Sequence, residues 1–417
     1  MLRKLNGLLA ITAAVFLAPP VMAGELDFGL SGTPNFAPGT EPFPHLANAE
    51  VQQFLLDAAK SPPTVEQAAD RLQGGLTQVR QLQTAHLVQL RNGRVYIDFN
   101  LFTVEDQRRI RTLAQRLSLS LARDLAADPA LRSLAAARRQ PGIDPATDAF
   151  ILLGCVGLDW DGLAITRARG LRTAGRARPD GTYLIWARES GDGLSTRGIY
   201  WACRDVKAGS GHVATYGDSY AERRTFPDVA WSLGEPSGSA PVHLKTALTK
   251  AMRIRAEALQ EPVAAILLAL RQGPMSISDL ASATRLAPDE LDESVNVAIS
   301  MRYLRKEGSN HVATVPVFAG PDREHVTQVR RGFRRVLEPW LDQNRSEIRA
   351  VLQELSAVRA GVSEEEVFTD VWHDLFGWTS YRLAQAGFIL DPYGPSSSYT
   401  GYAPFIWADG LQLKADQ

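Results

Sequence analysis

Apolar residues first fall into a helical rhythm between Ala47 and Lys60, where Val51, Phe54, Leu55 and Ala58 share one face. Pro62-Pro63-Thr64 ends that segment and caps a second helix, Val65 to Leu72; Gly74-Gly75 then turns the chain into a third, Leu76 to Leu90. Asn92-Gly93, flanked by Val88 to Leu90 and by Val95 to Phe99, predicts a tight hairpin. A long amphipathic helix is expected over Val104 to Leu125, with Ile110, Leu113, Leu117 and Leu121 on its apolar face, and a short one over Leu131 to Arg139. Pro141 to Thr147 reads as a linker, Phe150 to Leu171 as a helix pair holding Trp160, and Thr182 to Ala187 as a strand.

The same order returns downstream. A helix from His243 to Gln272 leads into Gly273 to Phe318, which reads as helix, turn, second helix and hairpin, with Ser276 as the first cap. Thr64-Val65 aligns with Ser276-Ile277, hairpin Gly93 with Gly308 after a three-residue insertion, and Asp106 with Asp322. On the long helices Ile110, Leu113, Leu117 and Leu121 align with Val326, Val329, Phe333 and Leu337. Further on, Phe150 aligns with Phe368, Trp160 with Trp378, and Leu184 to Ala187 with Phe405 to Ala408. The expected fold class is therefore α+β and mainly helical: a duplicated winged-helix module, each copy followed by a long helix and a small α/β extension. The expected blocks are a signal peptide (1–23), an extended arm (24–46), copy 1 with its long helix (47–140), an extension with a unique insert (148–240), copy 2 with its long helix (243–360), and a second extension (362–417).

The helix-turn-helix-hairpin order, covering about 45 residues in each copy, resembles bacterial winged-helix regulators of the ArsR type. That resemblance implies a third helix in the major groove and a wing on the DNA backbone. The reading helices would be Leu76 to Leu90 and Pro288 to Tyr303, and the first would offer Gln78, Arg80, Gln81, Gln83 and Thr84 to bases. The second departs from the pattern. Asp289, Glu290, Asp292 and Glu293 fill the half of the helix that would face the bases, where they repel phosphates, although they suit the helix dipole.

The N-terminus also points away from DNA. Arg3 and Lys4 precede an apolar run, Leu8 to Ala18, then Pro19-Pro20 and the small-residue site Val21-Met22-Ala23. This is a secretory leader, with cleavage near Ala23 and a periplasmic or secreted protein as the expectation. A misassigned start codon would instead leave the protein cytoplasmic. The apolar run falls short of the ~20 residues a membrane span needs, and no later segment reads as a span. The formal net charge of −1 becomes −3 without Arg3 and Lys4, so the positive excess typical of DNA binding is missing. Cys155 and Cys203 are the only cysteines and cannot complete a four-cysteine zinc site; no metal and no cofactor are expected. They either form one disulfide around a 47-residue interior or stay as two buried thiols.

Candidate chemistry is sparse. None of the seven histidines lies four residues from another, and no HExxH occurs. His373-Asp374 sit on a helix where neighbours point apart, and Asp159-Trp160-Asp161 reads as an exposed turn or helix start. In the insert, 191–240, a Ser/His/Asp set can be drawn from His212, Asp218 and Ser219, although no GxSxG elbow surrounds Ser219. Tyr216 with Arg223 and Arg224 reads there as an aromatic, arginine-lined recognition surface. Arginines recur on the two long helices (Arg108, Arg109, Arg111, Arg116; Arg330, Arg331, Arg334, Arg335), as solvated faces or as a surface for a partner. The expected function is an exported, non-enzymatic protein whose tandem modules serve protein–protein interaction or scaffolding in the cell envelope, with a protein partner or a second copy of itself. The alternatives are a DNA-binding transcriptional regulator and an envelope hydrolase built on the insert.

Overall fold

The computed structural model describes residues 26–37, 39–137, 139–191, 198–199, 202–218, 255, 258–394, 401–411 and 413. The leader, Ser219, Arg223 and Arg224 lie outside the described residues. The described chain is α+β and mainly helical. It opens with β1 (Leu26–Pro34), α1 (Phe43–Leu46), α2 (Ala49–Lys60), α3 (Val65–Arg71), α4 (Gly75–Thr84), β2 (Val88–Arg91), β3 (Arg94–Ile97) and β4 (Asn100–Phe102). Local chemistry sets these boundaries. Asn48 accepts from the Glu50 and Val51 amides at the start of α2, and Thr64 and Gln67 form a capping box on α3. Asn92 (φ 51) and Gly93 (φ 73) both adopt the left-handed conformation that a two-residue hairpin turn requires. Two expectations change. The third helix stops at Thr84, because Val88 already pairs with Ile97. Within the arm expected over 24–46, Leu26–Pro34 is β1, paired antiparallel with a later strand along its whole length, and Phe43–Leu46 is α1.

The chain continues through α5 (Val104–Ala127), α6 (Pro129–Ala135) and α7 (Pro145–Ala168), then β5 (Arg176–Arg178), β6 (Gly181–Glu189), β7 (Ala202–Ala208) and β8 (Gly211–Gly217). The second half holds α8 (Ala258–Leu270), β9 (Met275–Ser276), α9 (Ile277–Thr284), α10 (Pro288–Ser300), β10 (Leu304–Glu307), β11 (Asn310–Ala313) and β12 (Val317–Phe318). It closes with α11 (Arg323–Glu354), α12 (Ser356–Ala360), α13 (Glu364–Gln385) and β13 (Tyr402–Ala408).

The helix pair expected at Phe150 is one continuous helix, α7, whose middle, Phe150–Asp161, is a π-helix. All twelve residues of that stretch are buried, so the protein covers it on every side. Gly154 lies under the Tyr216 ring and Gly157 against Phe333, contacts that a β-carbon would obstruct. Contrary to expectation, α7 is long and apolar enough to cross a membrane, yet 94% of its most apolar window is buried within the protein. It is a core helix.

Two sheets frame the molecule. One has the order β1-β6-β4 with β5 on β6; the other has the order β7-β8-β13-β12. In each, the central strand is antiparallel to a long neighbour and parallel to the short strand that follows a hairpin. Residues 202–217 thus supply two strands of the second sheet, β7 at its edge and β8 inside it. Strand alternation gives that sheet two buried faces. Val213 and Ile406 join the core of α8, α9 and α10, whereas Ala214, Tyr216, Ala403, Phe405 and Trp407 face a helical bundle. On the first sheet Tyr183, Ile185 and Ala187 join the core of α2, α3 and α4.

The bundle of α5, α7, α11 and α13 is the largest core, and here the halves cross. Trp160 of α7 packs on Phe405 and Trp407 of the second sheet. α13, from the second half, packs on α5 and is tied to the first sheet: Asn100 donates to Asp370 at 2.6 Å, and Arg188 reaches Asp374 at 2.9 Å. Elements of four expected blocks thus share one core. Each extension helix covers the sheet of the opposite half.

Candidate functional site

The face of the second sheet that meets α7 carries a polar cluster inside this core. Cys155 and Asp159 are four residues apart on the π stretch, where i→i+5 bonding widens the turn and keeps both toward β7. Cys203 of β7 meets them: Cys155 Sγ lies 2.9 Å from Cys203 Sγ, and the Asp159 carboxylate completes a group within 4.8 Å. Across the ladder from Cys203 stands Tyr216, whose hydroxyl bonds Ser380 Oγ of α13 at 2.7 Å. Burial, reinforced by Cys203, pushes the Cys155 thiol well up, and burial does the same to the Tyr216 phenol. Both are neutral at pH 7. From the sequence a pairing of the two cysteines is only one of two options. The acids beside it were misread as exposed, since Asp159 and Asp161 are both buried.

Toward the other end of β8, His212 is held between two carboxylates. Its Nδ1 lies 3.0 Å from Asp205 Oδ1, its Nε2 lies 2.7 Å from Asp409 Oδ1, and its ring stacks on Trp407 at 3.8 Å. Trp407 Nε1 donates to Asp205 at 3.1 Å, and Lys207 holds the Asp409 carboxyl below its ordinary range, with His212 contributing. This geometry departs from the expected Ser/His/Asp set. A base needs one ring nitrogen toward a nucleophile, and here both face acids. Asp218 is buried past the far end of β8, where it accepts from the Gly198 amide at 2.6 Å and from the Tyr393 hydroxyl at 2.5 Å.

The surfaces expected to meet a partner are partly consumed by the fold. Tyr216 is fully buried and belongs to the core. Arg109 pairs with Glu105 and Glu354, Arg116 with Glu347, and Arg330 with both oxygens of Asp161. Arg111 is partly buried, and burial holds its guanidinium below its ordinary range. Arg334 lies 3.6 Å from Glu338, whereas Arg108 and Arg331 are exposed along shallow grooves of about 450 and 360 Å³. On α4, Arg80, Gln81, Gln83 and Thr84 are exposed, while Gln78 turns back to accept the Gly74 amide. On α10, Asp289, Glu290 and Asp292 are exposed and Glu293 pairs with Arg255.

Two ionic nodes were not legible as sites. At one, Arg139 bridges Asp148 (2.7 Å) and Asp322 (2.8 Å), which Arg271 also grips; burial pushes Asp148 up to about 6 and His325 down to about 4. At the other, burial pushes Asp370 up to about 6 and His373 down to about 4. His373 Nδ1 bonds the Thr369 carbonyl at 2.7 Å, and its neighbour Asp374 turns to Arg188. The i, i+4 spacing of Asp370 and Asp374 was a usable signal, but their partners lie in the other half of the chain.

No protein-family model matches this chain, no curated protein matches it in sequence, and no solved structure matches it.

Proposed function

We propose that the protein is an exported, non-enzymatic scaffold whose two winged-helix units, copies of one module, dock protein partners. The observation that carries this reading is the acidic α10 face, Asp289, Glu290 and Asp292, where a DNA reader would present donors and cations. The duplication is supported by like positions: capping boxes at Thr64 and Ser276, left-handed hairpin glycines at Gly93 and Gly308, and Asp106 and Asp322 each accepting the backbone amide three residues before it. The two carboxylates on His212 support a structural role for the 202–217 strands over the hydrolase alternative.

The exposed Arg80, Gln81, Gln83 and Thr84 on α4 favour one competing reading, a DNA-binding regulator. A gel-shift titration over salt separates the two. The scaffold reading expects no sequence-dependent shift, whereas a salt-sensitive, sequence-dependent complex lost on Arg80→Ala would sink it. Cell fractionation with N-terminal sequencing tests export: the expected mature start is Gly24, outside the cytoplasm.

A further inference from the structure

We propose that Cys155 and Cys203 are a directional dithiol that closes into a disulfide, with Cys203 the first thiol to react and Cys155 the resolving one, latching edge strand β7 to core helix α7. Three observations carry this. The sulfurs are 2.9 Å apart, closer than the ~3.5 Å or more at which even carbon atoms pack without a bond. Two thiolates on one tetrahedral zinc would sit ~3.8 Å apart, given a Zn–S distance of about 2.3 Å, so the spacing suits a sulfur–sulfur bond better than a shared ion despite the nearby Asp159. The two thiols are also unequal. Cys155 is fully buried on a helix covered on all sides, whereas Cys203 is only partly buried and lies on the outermost strand of its sheet. Burial keeps the Cys155 thiol protonated, so it is the poorer first nucleophile.

The oxidant is an external disulfide, either a small-molecule one or that of a thiol–disulfide oxidoreductase. Cys203 loses its proton and attacks, forming a mixed disulfide and expelling one thiolate, which takes up a proton. Cys155 then loses its proton and attacks Cys203 Sγ, expelling the second thiolate. Two thiols are oxidised, and one external disulfide is reduced to two thiols. Occupancy in the cell rests on the export reading; the chemistry on purified protein does not, so the two can fail separately.

The test uses the full-length chain, reduced, freed of reductant, exposed to oxidised glutathione and then alkylated under denaturing conditions for intact-mass and peptide analysis. Wild type should carry no glutathione and no alkyl group, with a mass lower by two hydrogens. Cys155→Ser should trap a single glutathione on Cys203, and folded Cys203→Ser should stay unmodified over the same time. Overturning results are a persistent glutathione adduct on wild type, reaction of Cys155 in Cys203→Ser at the wild-type rate, or stoichiometric zinc that survives dialysis and blocks oxidation. Near-UV circular dichroism checks the folding of each variant, and the wild-type mass decides bond formation even if a variant does not fold. Oxidised wild type should also melt several degrees above the reduced form; identical melting would remove the latch.

Discussion

Gly154 and Tyr216 fit together only because one has no side chain, and the Tyr216 hydroxyl then reaches Ser380. Gly154→Ala should drive a methyl group into the phenol ring and cost about 1–3 kcal/mol, as overpacked core positions do. Tyr216→Phe should cost only about 1 kcal/mol, the usual net worth of a hydrogen bond. Urea unfolding of both variants checks the order; a Gly154→Ala protein as stable as wild type would mean that the close approach carries no constraint. In the sequence Tyr216 reads as part of a recognition surface because aromatics and arginines lie close together in that stretch. Its burial follows from a π-helix and a crossing helix that no local pattern announces. His212 is the same lesson: Asp205 is seven residues away, but Asp409 comes from beyond the last strand.

At the scale of elements, whatever is set by neighbours in sequence was legible. Thr64 and Ser276 cap their helices, Asn92-Gly93 turns its hairpin, and Ile110, Leu113, Leu117 and Leu121 face the core. The helix pair expected over Phe150 to Leu171 is the single helix α7, in which Gly154 and Gly157 are contact points for Tyr216 and Phe333. α13 carries a testable electrostatic consequence. Asp370 rises from 3.8 to about 6 on folding, so its contribution is complete below 3.8 and is lost as pH rises through about 6. His373 falls from 6.5 to about 4, so its contribution is complete above 6.5 and is lost as pH falls through about 4. Between about pH 4 and 6 the two oppose each other. Asp370→Asn should therefore lose on the order of 3 kcal/mol more than wild type on acidification from pH 6.5 to 4, and His373→Gln should lose less than wild type. Urea midpoints across that range measure this, and identical pH profiles for the three proteins would refute the assignment.

For the whole molecule, the crossing of α7 and α13 was the feature least visible in the sequence, because periodicity reports a buried face without naming the element that covers it. Neither half has a complete bundle alone. A chain of 26–191 should fail to give a stable monomer: size exclusion should find oligomer or aggregate, with binding of a hydrophobic dye, and adding 202–417 should suppress both. A monomeric 26–191 with cooperative unfolding would refute the interdependence. If the halves are copies of one module, the exchange of helices has a historical meaning as well. A single module that lends its covering helix to an identical neighbour is a domain-swapped homodimer. The present chain would then be that dimer joined end to end, its two-fold axis preserved as internal pseudo-symmetry. Either half would then have been free to diverge, and the acids of α10 and the cysteines at one sheet would be changes that a symmetric parent had to carry twice.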